Sequence, residues 1–130
     1  MRLFELLSYY SWILDRFHLS TKLYQKVVHG REYDIGWLEE RLKALGFRLV
    51  FCTRKRESFE RVRAERVKVS EKPSQYDDLQ IFIREPETMG ALVEESRPTK
   101  MELDISDNEV GRAVETIADW LESNGRLYAR

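Results

Sequence analysis

Apolar residues recur every three or four positions over much of this chain, which is the spacing of amphipathic helices. The pattern predicts helices over residues 2–10, 18–29, 34–46, 57–69 and 75–85, and a last one from Asp107 or Asn108 through Leu121. Asp34 can cap the third helix and Gly46 can end it. That helix is expected to bury Trp37, Leu38, Leu42 and Leu45. Pro86 fits the first turn of a further short helix better than a helix interior.

Three short apolar runs interrupt the helical spacing and predict strands. They are "WIL" at residues 12–14, "FRLVFCT" at 47–53 and "KMELDIS" at 100–106. The second run is apolar almost throughout, which is typical of a strand covered on both faces of a parallel sheet. Cys52 lies in this run, so we expect it to be a buried small hydrophobe rather than a nucleophile.

Strands that alternate with helices imply parallel pairing and right-handed crossovers. We therefore predict an α/β fold: a partial doubly wound, three-layer arrangement with a short, mainly parallel three-stranded sheet flanked by helices. Residues 1–130 contain no repeat or linker and form one predicted domain. Three strands make a thin sheet. The chain therefore reads as part of a larger α/β unit, or as a protomer that completes its sheet with a partner.

Composition narrows the class of protein. The 22 basic and 23 acidic residues give a net charge of -1, which argues against a surface that coats nucleic acid or an anionic membrane. No apolar run approaches the roughly 20 residues that span a bilayer, and the first residues do not resemble a signal peptide. A single cysteine excludes an internal disulfide and fits a reducing compartment, so we expect a cytoplasmic protein.

An acid and a base follow the first predicted strand, at the end of the sheet where open α/β folds bind ligands. The guanidinium of Arg16 could bind a phosphate through two parallel hydrogen bonds. Asp15 could accept a proton or hold water on a magnesium ion. A plain ion pair or a helix cap explains these two residues equally well.

Polar residues four positions apart follow in the next predicted helix, where they would flank its apolar stripe. A hydroxyl, an amide and a ring at this rim could contact the edge and face of a nucleic base. The two pairs are Ser20 with Tyr24, and Thr21 with Gln25. Tyr24 alone is better explained by core packing. His18 alone is better explained by capping or packing, since no second His or Cys lies near it for a metal site.

The segment "DRFHLSTKLYQ", residues 15–25, resembles the signature of thymidylate kinases, in which Asp-Arg and an aromatic residue or His precede Ser-Ser/Thr and Tyr-Gln. The later order of strand, basic helix, helix, strand and helix is also similar to that of P-loop nucleoside and nucleotide kinases. The resemblance covers nearly the whole chain in layout but is specific only over residues 15–25. Phe17 departs from the Tyr or His common at its position.

The resemblance implies an acceptor site in this segment. Arg16 would hold the phosphate of the acceptor nucleotide or nucleoside, and Asp15 would be the catalytic carboxylate near the acceptor oxygen and magnesium. The residues implied at the base and sugar are Phe17, Ser20, Thr21, Tyr24 and Gln25. The complete family site uses ATP and Mg2+. The segment does not indicate which base is bound.

Residues 54–72, "RKRESFERVRAERVKVSEK", hold eight basic and four acidic residues. A solvated helix with Glu–Arg pairs explains this composition. In the resembling kinases, however, this region is the lid, whose arginines neutralise the transferring phosphate. Arg61 and Arg66 are the implied lid residues, and Arg66 falls near the face of Phe59. A nucleic-acid surface is less well supported, because Phe59 is the segment's one aromatic residue.

None of the six glycines precedes a lysine, so the chain lacks the G-x-x-x-x-G-K-[ST] loop that binds donor phosphates. We therefore expect no useful kinase activity from these 130 residues alone. One hypothesis is an enzyme part, completed by a P-loop half or by a homodimer. The alternative is a kinase-like module that binds a nucleotide or a partner without chemistry. A purely structural protein leaves the polar residues of 15–25 unexplained.

Overall fold

A computed structural model describes residues 2–7, 11–71 and 79–125, without the side chains of residues 79–85. The described residues form six helices and two strands. In chain order these are α1 (Arg2–Leu6), α2 (His18–His29), α3 (Gly36–Ala44), β1 (Arg48–Thr53), α4 (Arg56–Val69), α5 (Leu79–Glu95), β2 (Thr99–Asp104) and α6 (Val110–Ser123). No helix in these ranges is long and apolar enough to cross a bilayer.

The two strands form a parallel sheet, which confirms the prediction of a mixed helix-and-strand fold with parallel pairing. Arg48 lies opposite Thr99 and Thr53 lies opposite Asp104. The prediction of a third strand at residues 12–14 is not confirmed, because this stretch pairs with no described strand. An apolar run becomes a strand only where a neighbour accepts and donates its backbone hydrogen bonds.

The core lies on one face of the sheet, between β1, α2 and α5. Leu49 and Phe51 alternate toward this face and pack against buried residues of the helices and of the turn before α3. The buried residues of this cluster are Leu19, Leu23, Ile35, Leu92 and Val93. On the other face, Leu103 of β2 is 4% exposed. The start of α2, which carries residues 18–25, is thereby fixed against the sheet through α5.

Aromatic rings join α1 to the start of α2. The ring of Phe4 lies 5.3 Å from the ring of Trp12, 6.4 Å from Phe17 and 5.2 Å from Phe47. Such edge-on and tilted ring contacts each add a modest stabilisation beyond the burial of apolar area. Phe17, a predicted site residue, therefore has one side occupied by this cluster.

Basic residues at the amino ends of both strands cap the helices that end there. Lys100 Nζ donates hydrogen bonds of 2.6–2.8 Å to three carbonyl oxygens at the end of α5, those of Val93, Glu94 and Ser96. The guanidinium of Arg48 donates to carbonyls at the end of α6, those of Leu121, Asn124 and Gly125. Helix carboxyl ends carry partial negative charge and unpaired carbonyls, so cations stabilise them.

Gly46 ends α3 as predicted. It has a φ of +80°, a conformation that glycine adopts without steric cost. The amide of Phe47 donates to the carbonyl of Leu42, and that of Gly46 to the carbonyl of Lys43, at 2.9 and 3.0 Å. This pair of bonds is the Schellman pattern. Asp34 accepts a hydrogen bond from the amide of Gly36 at 2.9 Å, but the cap position of α3 is occupied by Ile35 rather than by Asp34.

Several predictions about helices and burial are wrong. Pro86 lies inside α5 rather than at the start of another helix. It removes one backbone hydrogen bond, a loss that the packing of Leu92 and Val93 against the core offsets. Trp37 is 63% exposed and Leu45 37% exposed, while Cys52 is also exposed. The described chain covers only part of the sheet, so β1 is half-buried rather than enclosed on both faces.

Candidate functional site

Asp15 and Arg16 lie in an exposed bend that leads into α2. Their expected position at the carboxyl end of a strand is not confirmed, because the adjoining Phe17 and His18 lie near the amino ends of β1 and β2. Arg16 has a φ of 49°, which is uncommon for a residue other than glycine. Within the described part of the chain, neither side chain makes an ion pair or hydrogen bond, including with the other. The ion pair that would have explained these residues is therefore not formed, and the carboxylate and guanidinium both face solvent.

A cavity of about 530 Å³ opens beside the first turn of α2, between that helix and the start of α3. We call it the α2–α3 cleft. Its aromatic walls are Phe17, Tyr33 and Trp37, and Ile35 and Leu38 complete the apolar surface. Its polar walls are His18, Thr21, Glu32 and Asp34. Apolar and aromatic walls with a few polar groups are typical of small-molecule sites.

The structure brings two of the predicted base-contacting residues into this cleft and leaves three outside its lining. Phe17 and Thr21 line the cleft because residues three and four apart share one face of a helix. Ser20 and Gln25 are half-buried beside that face. Tyr24 is 55% exposed and contacts the ring of His29 at 5.4 Å, so the alternative that it packs in the core is wrong.

Sequence reasoning missed six of the nine lining residues of the cleft, and all six come from residues 32–38. Helical spacing predicts a core position for Trp37 and a capping role for Asp34, and neither pattern indicates a cavity wall. The signal present in the sequence was the pair of large aromatic residues around "YDIGW". An exposed aromatic ring beside a cavity is more informative than one in the core.

A buried polar network supports one wall of the cleft. His18 Nε2 lies 3.2 Å from Glu39 Oε1, and both residues are buried. The Ser96 hydroxyl donates to the same carboxylate at 2.7 Å, and the backbone amide of Arg97 donates to its other oxygen at 3.3 Å. Burial lowers the pKa of His18, and the hydrogen bond and charge of Glu39 oppose that shift in part.

The second predicted group, the lid arginines, lies at the carboxyl ends of the strands. Arg61 Nη2 donates to the Ser106 carbonyl at 2.9 Å, and the Lys55 amide donates to the Ser106 hydroxyl at 2.6 Å. Arg61 is thus held where β2 ends. Arg66 is exposed in the last turn of α4, one and a half turns beyond Arg61. The expectation that it turns inward with Phe59 is wrong, because its side chain faces solvent.

The end of the sheet at which both strands finish, which we call the carboxyl edge, attracts anions. The amino ends of α4 and α6 lie here, and helix amino ends carry partial positive charge. Arg54, Lys55 and Arg56 add three cations in a row. The acids of the edge are already engaged: hydrogen bonds from Ser106 lower the pKa of Asp104, and Arg112 lowers the pKa of Asp107.

A second cavity, of about 440 Å³, adjoins this edge on the face covered by α5. Its walls combine the rings of Phe51 and Phe59 with Arg54 and Arg56. Three carboxylates also line it, those of Glu87, Glu94 and Glu102. The mixture of charges makes it a less clear anion site than the carboxyl edge itself. It shares no lining residue with the α2–α3 cleft.

The expected magnesium ion has no ready-made protein site in the described residues. No three His, Cys, Asp or Glu side chains there come close enough to hold a metal ion. The cleft and the carboxyl edge therefore offer groups for an organic ligand and for phosphate, and the structure adds nothing to the expectation of Mg2+.

The comparisons with known proteins give no relative from which a role could be transferred. No protein-family model matches the chain, and no curated protein or solved structure is significantly similar to it.

Proposed function

We propose that this chain is the acceptor-binding and lid part of a nucleoside or nucleotide kinase, with a dTMP-like acceptor and ATP as the donor. The observation that carries the proposal is the position of Phe17 and Thr21. Both belong to the segment that resembles the thymidylate kinase signature, and both line the α2–α3 cleft. Asp15 and Arg16 come directly before them in the chain.

The cleft suits a nucleoside by size and by surface. Its volume falls within the range of about 300–1,000 Å³ that small-molecule sites occupy. The rings of Phe17, Tyr33 and Trp37 provide surfaces on which a base can stack. Arg16 is exposed at the entry to α2 and engaged by no described residue, so its guanidinium is available for a phosphate. Asp15, equally exposed, is the proposed catalytic carboxylate.

The carboxyl edge supports the lid part of the proposal. Phosphoryl transfer depends on cations that neutralise charge on the phosphate oxygens. Arg61 is held at this edge by Ser106, and Arg66 extends from the same helix into solvent. The cleft lies near the amino ends of the strands, because Glu39 beside His18 is bonded to Ser96 and Arg97 just before β2. These arginines therefore do not face the cleft of the same chain, and their role over the transferred phosphate rests on the family resemblance alone. ATP and Mg2+ enter the proposal through the family resemblance alone.

The finer fold proposal is a partial doubly wound, three-layer sheet. Neither outer edge of the β1–β2 pair is hydrogen-bonded to another described strand. Unpaired edges favour pairing with a further strand. We propose that the strand and P-loop required for ATP pair along this sheet, supplied by a separate P-loop half or by a second copy.

Calorimetric titration with dTMP and the other nucleoside monophosphates tests the acceptor site. Arg16→Ala should weaken dTMP binding by roughly 10- to 100-fold, since hydrogen bonds to charged groups contribute about 1.5–3 kcal/mol. Lys43→Ala removes an exposed cation of α3 that does not line the cleft, and it should bind dTMP like the wild type. Equal binding by Arg16→Ala and the wild type would remove Arg16 from the site.

A second candidate is a kinase-like module that binds a nucleotide without chemistry. It is favoured by one observation: no glycine of the chain precedes a lysine, so a P-loop is absent from these residues. The reading frame that precedes this chain in its gene separates the two candidates. A P-loop encoded there supports the kinase, and its absence together with dTMP binding supports the binding module.

A further inference from the structure

His18 lines the α2–α3 cleft, and the proposed reaction gives it no role. It is the first residue of α2, and its side chain is 8% exposed. Its Nδ1 has no hydrogen-bond partner among the described residues, and no fully buried side-chain nitrogen there is left without one, so Nδ1 keeps contact with solvent. The imidazole thus presents one edge inward and one edge outward. The inward edge is identified by the contact of Nε2 with Glu39 Oε1.

Glu39 is held in place independently of His18. Its carboxylate accepts hydrogen bonds from the Ser96 hydroxyl and from the Arg97 amide, which lie between α5 and β2. No guanidinium or ammonium group of the described residues pairs with it, since the Arg97 side chain pairs with Glu40 instead. These hydrogen bonds hold the Glu39 carboxylate in one position, where it accepts a further hydrogen bond from His18. A carboxylate held in this way fixes the orientation of the histidine ring that it contacts.

The direction of this hydrogen bond determines what the imidazole offers to a ligand. A carboxylate can only accept, so Nε2 carries the proton. Burial favours the neutral imidazole, and a neutral imidazole with a protonated Nε2 has a lone pair on Nδ1. A ligand in the cleft therefore meets a hydrogen-bond acceptor rather than a cation.

The other charged side chains of the cleft favour a nucleic base, rather than a phosphate, next to His18. Glu32 and Asp34 line the same cavity and would repel a phosphate. Lys22, on α2, also acts on His18, and it favours the neutral imidazole. The aromatic walls can stack on a base, and the exposed Arg16 at the entrance remains for the phosphate.

We propose that His18 accepts a hydrogen bond through Nδ1 from the imide N–H of a pyrimidine base in the α2–α3 cleft, with Glu39 as the positioning residue that fixes its ring and tautomer. This inference rests on the proposed function, because it assumes that the cleft binds a nucleotide. It names the substrate class: thymine and uracil nucleotides carry the N3–H donor, whereas cytosine has an acceptor at that ring position.

The test compares dTMP with its N3-methyl derivative by calorimetry. In the wild type, N3-methylation should weaken binding by about 10-fold, the usual loss for one hydrogen bond with an unsatisfied partner. In His18→Gln, which keeps an N–H donor for Glu39 but lacks Nδ1, dTMP should bind about 10-fold more weakly and methylation should have little further effect. His29→Gln, at the exposed end of α2, is the matched control and should retain the full methylation penalty.

Two readouts separate positioning by Glu39 from a merely structural role. Nitrogen-15 NMR of the His18 imidazole should show a protonated Nε2, and its Nδ1 resonance should shift when dTMP is added. In Glu39→Gln the negative charge that raises the pKa of His18 is lost. The His18 imidazole of Glu39→Gln should therefore stay neutral to a lower pH, and the contribution of His18 to dTMP affinity should be lost at a lower pH than in the wild type. The affinity of His18→Gln, measured at the same pH values, corrects for the titration of the dTMP phosphate.

The outcomes distinguish this inference from the proposed function. If dTMP binds but methylation costs the same affinity in the wild type and in His18→Gln, the inference fails and the nucleotide site stands. A proton on Nδ1 of the free protein would also overturn it. If dTMP does not bind at millimolar concentration, the proposed function fails and the inference fails with it. Should His18→Gln not fold, the methylation penalty and NMR of the wild type still decide.

Discussion

His18 is buried against a carboxylate, so its protonation is coupled to folding. Burial lowers its pKa below the ordinary value of about 6.5, which the unfolded chain retains. Between the two pKa values the unfolded chain binds more protons, so the free energy of unfolding decreases as the pH falls through that window. Above the ordinary value this contribution is fully present.

Urea unfolding between pH 7.5 and pH 5.5 checks this dependence. The wild type should lose stability with acidification, and His18→Gln should lose less, since glutamine does not titrate. His29→Gln should behave like the wild type, because His29 is exposed. The same pH slope in the wild type and in His18→Gln would show that His18 is not the group responsible.

Lys100 is a second residue whose role is visible only in three dimensions. Its ammonium group donates to three carbonyls at the end of α5, next to the buried Ser96. Lys100→Met keeps most of the side chain's volume but leaves these carbonyls without their donor. We expect a loss of about 1–3 kcal/mol in the free energy of unfolding, measured by urea denaturation. Lys43→Met, at an exposed position of α3, should change it by less than about 0.5 kcal/mol.

At the scale of elements, Arg48 connects β1 to the end of α6. Its guanidinium donates to the Leu121 carbonyl at 2.9 Å and lies 6.0 Å from the centre of the Trp120 ring. A lysine keeps the charge but not the planar fork that serves several carbonyls at once. Arg48→Lys should therefore destabilise the last turn of α6 by about 1–2 kcal/mol.

Hydrogen exchange is the measurement for Arg48→Lys. Amides in the last turn of α6 should exchange faster than in the wild type, while amides of α2 keep their protection. Arg31→Lys, in the exposed turn after α2, is the control substitution and should leave both regions unchanged. Unchanged exchange in α6 would mean that the helix end is held by other contacts.

Elements with strong local signals were predictable from the sequence. The spacing of apolar residues over 18–29 predicts α2 with the bounds that the structure gives. Gly46 ends α3 because its backbone adopts a positive φ without steric cost. Pro86 was misread, since a local rule about proline cannot include the packing that holds α5 together. Residues 12–14 lack a paired neighbour in the described chain, and no local pattern supplies one.

The sequence predicts only the part of the candidate site whose residues are close together along the chain. Residues 15–25 were singled out by their resemblance and spacing, and Phe17 and Thr21 do line a cavity. The cleft's other wall comes from the way in which α3 approaches α2. Trp37 belongs to this wall, and Glu39 supports it from behind through its contact with His18, 21 positions away in sequence. Helical spacing alone predicts a core position for Trp37 and gives no role to Glu39.

At the scale of the whole molecule, the described chain leaves apolar surface and strand edges uncovered. Ile13 is 98% exposed, and Val110 and Val114 of α6 are 73% and 60% exposed. A two-stranded sheet is marginal without further strands or covering helices. We expect the purified chain to associate, so light scattering after size exclusion should give a mass above the 15.6 kDa of one copy.

Substitutions on α6 test whether its apolar stripe takes part in this association. Val114→Lys should shift the chain toward the monomer, because it places a charge in surface that would otherwise be buried. Glu115→Lys, one position along the same helix, alters charge outside the stripe and should leave the measured mass unchanged. A stable monomer in the wild type would contradict the expectation of an incomplete sheet.

If the chain is part of the proposed kinase, catalysis depends on groups that these 130 residues do not contain. ATP must be held by a P-loop, and positioning of the donor supplies most of the rate of phosphoryl transfer. No glycine here precedes a lysine, so the chain with ATP and dTMP should show no phosphate transfer above the uncatalysed rate while dTMP still binds. Steady turnover by the chain alone, removed by Arg61→Ala, would show that its own cations at the carboxyl edge hold ATP without a P-loop.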